Sequence, residues 1–251
     1  MTVAPWRCKH RMMSMYITLV LVGLVAGTLS GSVGFGGGMI LLPVITYFYG
    51  VEVAVPVSTI AQMMSNISRA AMGWKEIKWR QVAWFLVPAL PFTALGAFGF
   101  SIVDKALMTR LLCVFLIVFS IMKLKGKMHL PKGRRTMLIG GGLTGFINGM
   151  LGISGPLSSA VFLTLELSPV AYIVSEATAA AAMHVVKAVT YGKFNLMNWH
   201  IFLNGFFIGC AMMLGNFIAL KLIKHVNKKP YQRVVAGVMI AVSLWLIFTV
   251  K

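Results

Sequence analysis

Acidic residues are scarce in this sequence, and the scarcity limits the classes of protein it can encode. Asp and Glu together number 5 of 251 residues, against 23 Lys and Arg, and all charged residues make up 11% of the chain. Because a soluble domain has about 25% charged residues, the composition excludes an ordinary soluble enzyme. The hydrophobic content of 59% also excludes a disordered chain. Nucleic acid binding would need the formal charge of +18 on one face of a soluble module, so we expect no nucleic acid partner.

Cysteine is scarce as well. The chain has three cysteines, Cys8, Cys113 and Cys210, which are scattered along the sequence and odd in number. A disulfide framework or a structural metal site needs cysteines in close, paired spacing. We therefore predict neither of these, and we predict no cofactor.

Charge is missing altogether from long stretches. No charged residue occurs between Arg11 and Glu52 or from Thr136 to Leu165, and about 20 apolar residues suffice for a helix to cross a bilayer. The sequence therefore predicts an all-α, polytopic membrane protein, which we place in a bacterial plasma (inner) membrane with its first segment uncleaved. Hydrophobic patterning predicts ten segments, at residues 15–32, 38–50, 53–73, 81–103, 106–122, 136–152, 156–168, 170–191, 199–220 and 232–250.

Glycine is abundant where charge is absent, and its positions repeat. An offset of 118 residues places Gly23, Gly27, Gly31, Gly34 and Gly37 on Gly141, Gly145, Gly149, Gly152 and Gly155. Such self-similarity predicts two tandem repeats of about five segments each. We predict a first transmembrane repeat at 1–122, a basic linker at 123–137 and a second transmembrane repeat at 138–251.

The distribution of basic residues predicts which side of the membrane the linker faces. An odd number of crossings per repeat would invert the two halves, which is the arrangement we favour, whereas an even number would leave them parallel. Under either arrangement 14 of the basic residues in loops and tails fall on the side of the linker and 7 on the other. Basic loops stay in the cytoplasm, so residues 123–135 are predicted to be cytoplasmic. Eight or ten crossings, and either side for the N-terminus, remain open.

Two glycine-rich breaks interrupt the hydrophobic segments. The first includes Gly36, Gly37 and Gly38, and each glycine costs a helix about 1 kcal/mol relative to Ala. Backbone groups freed inside a membrane must bond to protein, water or ligand, so a break indicates a cavity. A helix that restarts there directs its N–H groups into the cavity and favours an anion. The second copy, Asn148 to Pro156, predicts the same geometry, and two such helix starts are typical of the midplane site of a secondary transporter.

The same motifs carry a family resemblance. GSVGFGGGMILLP at 31–43 and GMLGISGP at 149–156, together with GWKEIKW and GKFNLMNW at the ends of the third segments, resemble the TauE/SafE family of sulfite exporter-like permeases. The resemblance implies transport of small sulfur-containing anions such as sulfite or organosulfonates. Ser154 departs from a fuller GxGGP form in the second motif, which reads GISGP at 152–156. The resemblance leaves the substrate, direction, coupling ion and oligomeric state open.

Polar residues in the third segment of each repeat predict where the anion binds. Gln62, Asn66 and Arg69 share one helix face, and the 118-residue offset places Asn66 on His184 and Arg69 on Lys187. A polar face inside a membrane protein is directed to the bundle interior or to water. Two alternatives stay open: Arg69 and Lys187 could snorkel to the interface, and His184 could be a packing residue.

We predict that the substrate contacts both glycine-rich breaks and these polar faces. The predicted substrate-binding residues are Ser30, Ser32, Gly34, Phe35, Gly36, Gly37, Gly38, Gln62, Asn66, Arg69, Asn148, Gly152, Ser154, Gly155, His184 and Lys187. Glu176 is the acid deepest in a segment; it could carry coupled protons, pair with Lys187 or lie near the aqueous end of its segment.

Parts of the sequence are compatible with two other functions. Gly152-Ile-Ser154-Gly155 matches the GxSG pattern of rhomboid-type intramembrane proteases, with His184 as the partner that a serine nucleophile needs. The repeat has Gly36 at the position of Ser154, which a duplicated transport core predicts and a protease does not. An anion channel lined by helix starts also remains open. We expect a non-enzymatic permease that works by alternating access, with a small anion and the lipid bilayer as partners and a homodimer left open.

Overall fold

The protein is helical throughout the part of the chain that the computed structural model describes, which is residues 5–34, 36–124 and 130–222. The all-α class predicted from the sequence is confirmed for these residues. A 3₁₀ turn at Trp74–Glu76 links the third and fourth helices. The helices are α1 (Pro5–Val33), α2 (Gly37–Tyr49), α3 (Val51–Met72), α4 (Trp79–Ile102), α5 (Lys105–Leu124), α6 (Arg134–Leu151), α7 (Gly155–Leu163), α8 (Pro169–Lys193) and α9 (Trp199–Leu222).

Each of the first nine predicted segments contains the larger part of one helix. The first helix begins at Pro5, ten residues before the predicted segment. Helix α5 ends at Leu124 and α6 begins at Arg134. Both ends of the predicted linker, 123–137, are therefore helical. The tenth predicted segment, 232–250, lies outside the described residues.

Three of the described helices are long and apolar enough to cross a bilayer. They cover Trp79–Ile102, Pro169–Lys193 and Trp199–Ala219. Two further apolar stretches, Thr18–Ser32 within α1 and Gly37–Tyr49, have 10–17 described residues each.

Glycines set the distance between the most extensively packed helices. Helix α1 packs on α9, and α4 packs on α6. A Cβ atom at Gly27 would lie 2.6 Å from the Cα atom of Met212, and one at Gly145 would lie 2.9 Å from the Cα atom of Ala89. These backbones can approach so closely because glycine has no side chain.

The chain turns sharply where α1 and α6 end. Gly36 and Gly152 have φ angles of 108° and 79°, in the left-handed region that only glycine adopts at little cost. Helix α2 begins directly after Gly36, and α7 begins three residues after Gly152. The two turns place the N-termini of α2 and α7 beside α3 and α8, which contact each other.

Candidate functional site

A small cavity lies where α2 and α7 begin. About 20 Å³ of this cavity is open to the centre of a water-sized sphere, which is room for about one or two water molecules. The lining residues are Ser30, Gly36, Gly37, Gly38, Met39, Gln62, Ser65, Asn66, Arg69, Ile153, Ser154, Gly155, Glu176, Ala180 and Met212.

Arg69 brings a cation to this cavity from α3. Arg69 is 4% exposed, so its guanidinium is buried inside the protein. A side chain that snorkels to the membrane interface would instead expose its charged end. The Nη1 atom donates to the carbonyl oxygens of Ser30 and Gly34 at 3.2 and 2.6 Å, and Nη2 donates to Oδ1 of Asn66. The Nε atom has no hydrogen-bond partner among the described residues. Arg69 therefore joins α3 to the end of α1 and keeps one donor free.

Glu176 of α8 is the counter-ion of Arg69. Its Oε2 atom lies 3.6 Å from Nη2 of Arg69, and its Oε1 atom accepts a 2.6 Å hydrogen bond from the hydroxyl of Ser158. The residue is 1% exposed. The pairing with Lys187 that the sequence suggested for Glu176 is wrong. The partner is Arg69, which belongs to the other half of the chain.

Gln62 lies between the start of α2 and the second glycine-rich turn. Its Nε2 atom donates to the carbonyl oxygen of Gly152 at 3.4 Å. Gly38 makes room for this amide, since a Cβ atom at Gly38 would lie 2.6 Å from Cδ of Gln62. A side chain on Gly38 would therefore push the Gln62 amide away from the turn.

A second buried basic group lies further along α8. Lys187 is fully buried, and its Nζ atom donates to Oδ1 of Asn148 at 3.1 Å and contacts the Asn148 carbonyl oxygen at 3.5 Å. No acidic oxygen lies within 4 Å of this ammonium in the described ranges. Tyr191 donates to the Gly149 carbonyl oxygen at 2.7 Å. Lys187 thus holds α8 to the end of α6, as Arg69 holds α3 to the end of α1.

His184 is buried among these groups without a hydrogen bond. Neither of its ring nitrogens has a partner in the part of the chain that the structure covers. A serine–histidine dyad would need one of them to contact Ser154. The pairing that a rhomboid-type protease requires is therefore missing from this arrangement, although Ser154 lines the cavity.

Comparison with known proteins decides the family. The profile of the family described as sulfite exporter TauE/SafE matches residues 19–246. The chain belongs to the TauE/SafE family. This TauE/SafE chain is 26% identical over 168 residues to a probable membrane transporter protein of Methanocaldococcus jannaschii, a match that spans 61% of this chain and 62% of that protein. It is 24% identical over 254 residues to a probable membrane transporter protein of Xylella fastidiosa (strain Temecula1), spanning 94% and 95% of the two chains.

A protein of the same name from Xylella fastidiosa (strain 9a5c) is 23% identical over 254 residues, again across 94% of this chain and 95% of its own. None of the solved structures matches the chain. The family and the apolar helices together make this chain a membrane transporter of the TauE/SafE family.

The structure gathers nine of the predicted substrate-binding residues of this TauE/SafE transporter around one cavity. These are Ser30, Gly36, Gly37, Gly38, Gln62, Asn66, Arg69, Ser154 and Gly155. Phe35 is outside the described residues. Six others do not line this cavity, namely Ser32, Gly34, Asn148, Gly152, His184 and Lys187. Of these six, Gly34 and Gly152 still contribute carbonyl oxygens that bind Arg69 and Gln62.

Sequence reasoning did not place Glu176, Ser65, Ser158 or Met212 at the site. Glu176 and Ser158 could have been found from their types, because an acid within a segment rarely lies far from a polar partner. Met212 carries no such signal. The described residues contain no group of three His, Cys, Asp or Glu side chains that could hold a metal ion.

Proposed function

We propose that this TauE/SafE protein is a secondary transporter of small oxyanions, of the sulfite or organosulfonate type, and that the anion binds in the cavity beside Arg69. The observation that carries the proposal is the meeting of Arg69 with the N-termini of α2 and α7 in one small buried space. Each of these groups favours negative charge. Their convergence supports an anion site between the two halves of the chain.

The donors around the cavity fit an oxyanion. The first N–H groups of a helix have no acceptor within it, and Gly37, Gly38 and Gly155 at the starts of α2 and α7 line the cavity. Arg69 adds charge and Asn66 adds an amide. Charge-assisted hydrogen bonds are about twice as strong as neutral ones, and small anions bind readily at helix N-termini. A sulfonate or sulfite offers three acceptor oxygens to such a set of donors.

We further propose that the two halves form inverted repeats related by a pseudo-two-fold axis near the α3–α8 contact. Helix packing supports this, because α1 packs on α9 as α6 packs on α4, and α3 packs on α9 as α8 packs on α4. The hydrogen bond from Arg69 to the Ser30 carbonyl matches the contact from Lys187 to the Asn148 carbonyl. Both pairs are related by the 118-residue offset. The predicted cytoplasmic position of residues 123–135 belongs to the same proposal.

One departure from symmetry supports alternating access. A Cβ atom at Gly215 would contact Leu24 and Thr28, whereas one at Gly96, its repeat equivalent at an offset of 119 after a one-residue loop insertion, would contact Phe146 and Met150. The offset of 118 relates Leu24 and Thr28 of α1 to residues 142 and 146 of α6. Gly96 of α4 instead contacts residues 146 and 150 of α6. The α4–α6 pair is therefore displaced by four residues relative to the α9–α1 pair. Four residues are one turn, or about 6 Å. In this proposal each helix pair shifts to the register that the other pair has in this structure. The shift closes the site to one side of the membrane and opens it to the other.

A disulfide between α1 and α9 should stop that exchange. A Cβ atom at Gly23 would lie 3.3 Å from Cβ of Ala211, close to the separation of about 3.5–4.5 Å in disulfides. We expect Gly23→Cys/Ala211→Cys, in a chain whose native cysteines are changed to Ser, to lose at least about 90% of transport on oxidation, because a displacement of about 6 Å would be prevented. Dithiothreitol should restore transport. Each single-cysteine variant serves as control, and full cross-linking with undiminished transport would contradict the mechanism.

The proposed function is tested by anion-dependent stabilisation of the purified protein. Sulfite, methanesulfonate, sulfate and acetate are compared at equal ionic strength, and we expect the sulfur oxyanions to raise the Tm while acetate does not. A ligand at 100 times its Kd stabilises a protein by about 2.7 kcal/mol. Stabilisation by none of these anions would refute the proposal. In proteoliposomes, saturable flux supports a transporter, and large passive currents would favour the anion channel.

A further inference from the structure

Glu176 differs from every other acid of this protein by its burial. The remaining four, Glu52, Glu76, Asp104 and Glu166, lie at helix ends or in loops and are exposed or partly exposed. Glu176 is 1% exposed, lines the cavity and faces Arg69. Ionisable groups within membrane segments are costly and mark transport pathways or proton relays. Its position therefore needs an explanation beyond packing.

The contacts of Glu176 are those of an anion held loosely in an anion site. Its Oε2 atom lies 3.6 Å from Nη2 of Arg69 and has no hydrogen bond from any described residue. This separation exceeds that of a hydrogen-bonded ion pair, which is about 2.7–2.9 Å. The carboxylate thus balances the charge of Arg69 without using all of its donors. A second anion beside Arg69 would leave two negative charges on one cation in a buried space, which is strongly unfavourable.

Ser158 can stabilise Glu176 both with and without a proton. Its hydroxyl donates to Oε1 of Glu176 at 2.6 Å and also lies 3.0 Å from the Ser154 carbonyl oxygen. A hydroxyl can donate one hydrogen bond and accept two. When Glu176 is protonated, its new O–H can donate to Ser158, and the Ser158 hydroxyl can turn to the Ser154 carbonyl. Both forms of the carboxyl are then satisfied without moving a backbone atom.

We propose that Glu176 is the proton carrier of this transporter and that its carboxylate competes with the substrate anion for Arg69. The proposal rests on the anion site described above. A proton from the aqueous phase forms an O–H bond on the Glu176 carboxylate as the anion binds to Arg69, and both leave together when the carboxylate pairs with Arg69 again. One proton accompanies each monovalent anion, so its transport is electroneutral symport. The same step serves uptake and export.

The other polar and titratable groups near Glu176 do not offer the same exchange. Arg69 faces it from α3, Ser158 faces it from α7, and Tyr172 interacts with it electrostatically from its own helix. His184 and Lys187 lie about two and three turns further along α8, and they do not line the cavity. Glu176 is therefore the acid that can respond directly to an anion on Arg69.

The test uses methanesulfonate, a monovalent anion that does not titrate near neutral pH, with purified full-length protein and proteoliposomes. In weakly buffered solution, binding to the wild-type protein should take up about one proton per anion, and the Kd should rise about tenfold per pH unit once Glu176 is ionised. Glu176→Gln should bind methanesulfonate at least about tenfold more tightly at pH 8, without proton uptake. It should still exchange anions across the membrane and should not accumulate them against a gradient when a pH difference is imposed.

Glu166→Gln is the matched control, because it removes an exposed carboxylate paired with Lys132 and should keep the pH-driven accumulation of the wild type. Accumulation by Glu176→Gln under a pH gradient would overturn the proposal, as would wild-type binding without proton uptake. Either result would leave the anion site itself intact. Absence of anion binding in every variant would instead refute the proposed function. If Glu176→Gln does not fold, proton uptake by the wild-type protein decides the matter.

Discussion

Arg69→Ala should reduce anion transport at least about 100-fold while the protein still inserts in the membrane. Hydrogen bonds to a charged group contribute about 1.5–3 kcal/mol each. Loss of two such bonds to the anion, one from Nε and one from the Nη2 N–H that faces Glu176, corresponds to about 100-fold or more. Arg69 is the cation that lines the cavity within the described residues. The initial rate of sulfite or methanesulfonate uptake into proteoliposomes measures the effect.

The control for this variant must separate transport from stability. Arg69→Ala leaves Glu176 buried without its counter-ion, and breaking a buried pair costs about 3–5 kcal/mol. The double variant Arg69→Ala/Glu176→Gln removes both charges, so it should recover stability and still fail to transport. Arg110→Ala, on the exposed side of α5, should transport normally. If a well-folded double variant transported anions at the wild-type rate, Arg69 would not be part of the anion site.

Helix periodicity was enough to predict one side of the site. Gln62, Asn66 and Arg69 are three and four residues apart, so any helix through them brings their side chains to one face. The structure places all three on the cavity. The position of the glycine-rich turns was less predictable from glycine content, because Gly140, Gly141 and Gly142 form an equal run of three inside α6.

The partner of Glu176 was not predictable in this way. Its 11-residue spacing from Lys187 corresponds to three turns, or about 16 Å along one helix, whereas Arg69 approaches from a helix more than 100 residues away. Periodicity predicts the helix face on which a residue lies, but it does not predict which residue of another helix that side chain contacts. The sequence repeat likewise equated Lys187 with Arg69, although Lys187 donates to Asn148 and does not line this cavity. The one-turn displacement between the halves has no sequence signal, since the glycines that mark it occur in both.

Gly145→Ala should lower the Tm of the protein by up to about 8 °C, after the gain of about 1 kcal/mol in helix propensity is subtracted. The added methyl group would lie 2.9 Å from both Cα and C of Ala89, and a backbone cannot give way as a flexible side chain can. Overpacking costs about 1–3 kcal/mol, and each kcal/mol shifts the Tm of a protein of this size by about 2–4 °C. The change would force α6 away from α4, the most extensively packed pair of helices. Intrinsic fluorescence during heating in detergent measures the shift.

Gly142→Ala provides the matched control for this prediction, because it lies on the same helix less than one turn away. Its methyl group would lie 3.6 Å from Cδ2 of Phe92 and 3.7 Å from Cβ of Pro88, which are ordinary contact distances. Both variants gain the same helix propensity of about 1 kcal/mol, so their difference isolates the contact with Ala89. Gly142→Ala should therefore be as stable as the wild type or slightly more so. Equal Tm values for the two variants would show that α4 and α6 do not need the close approach at Gly145.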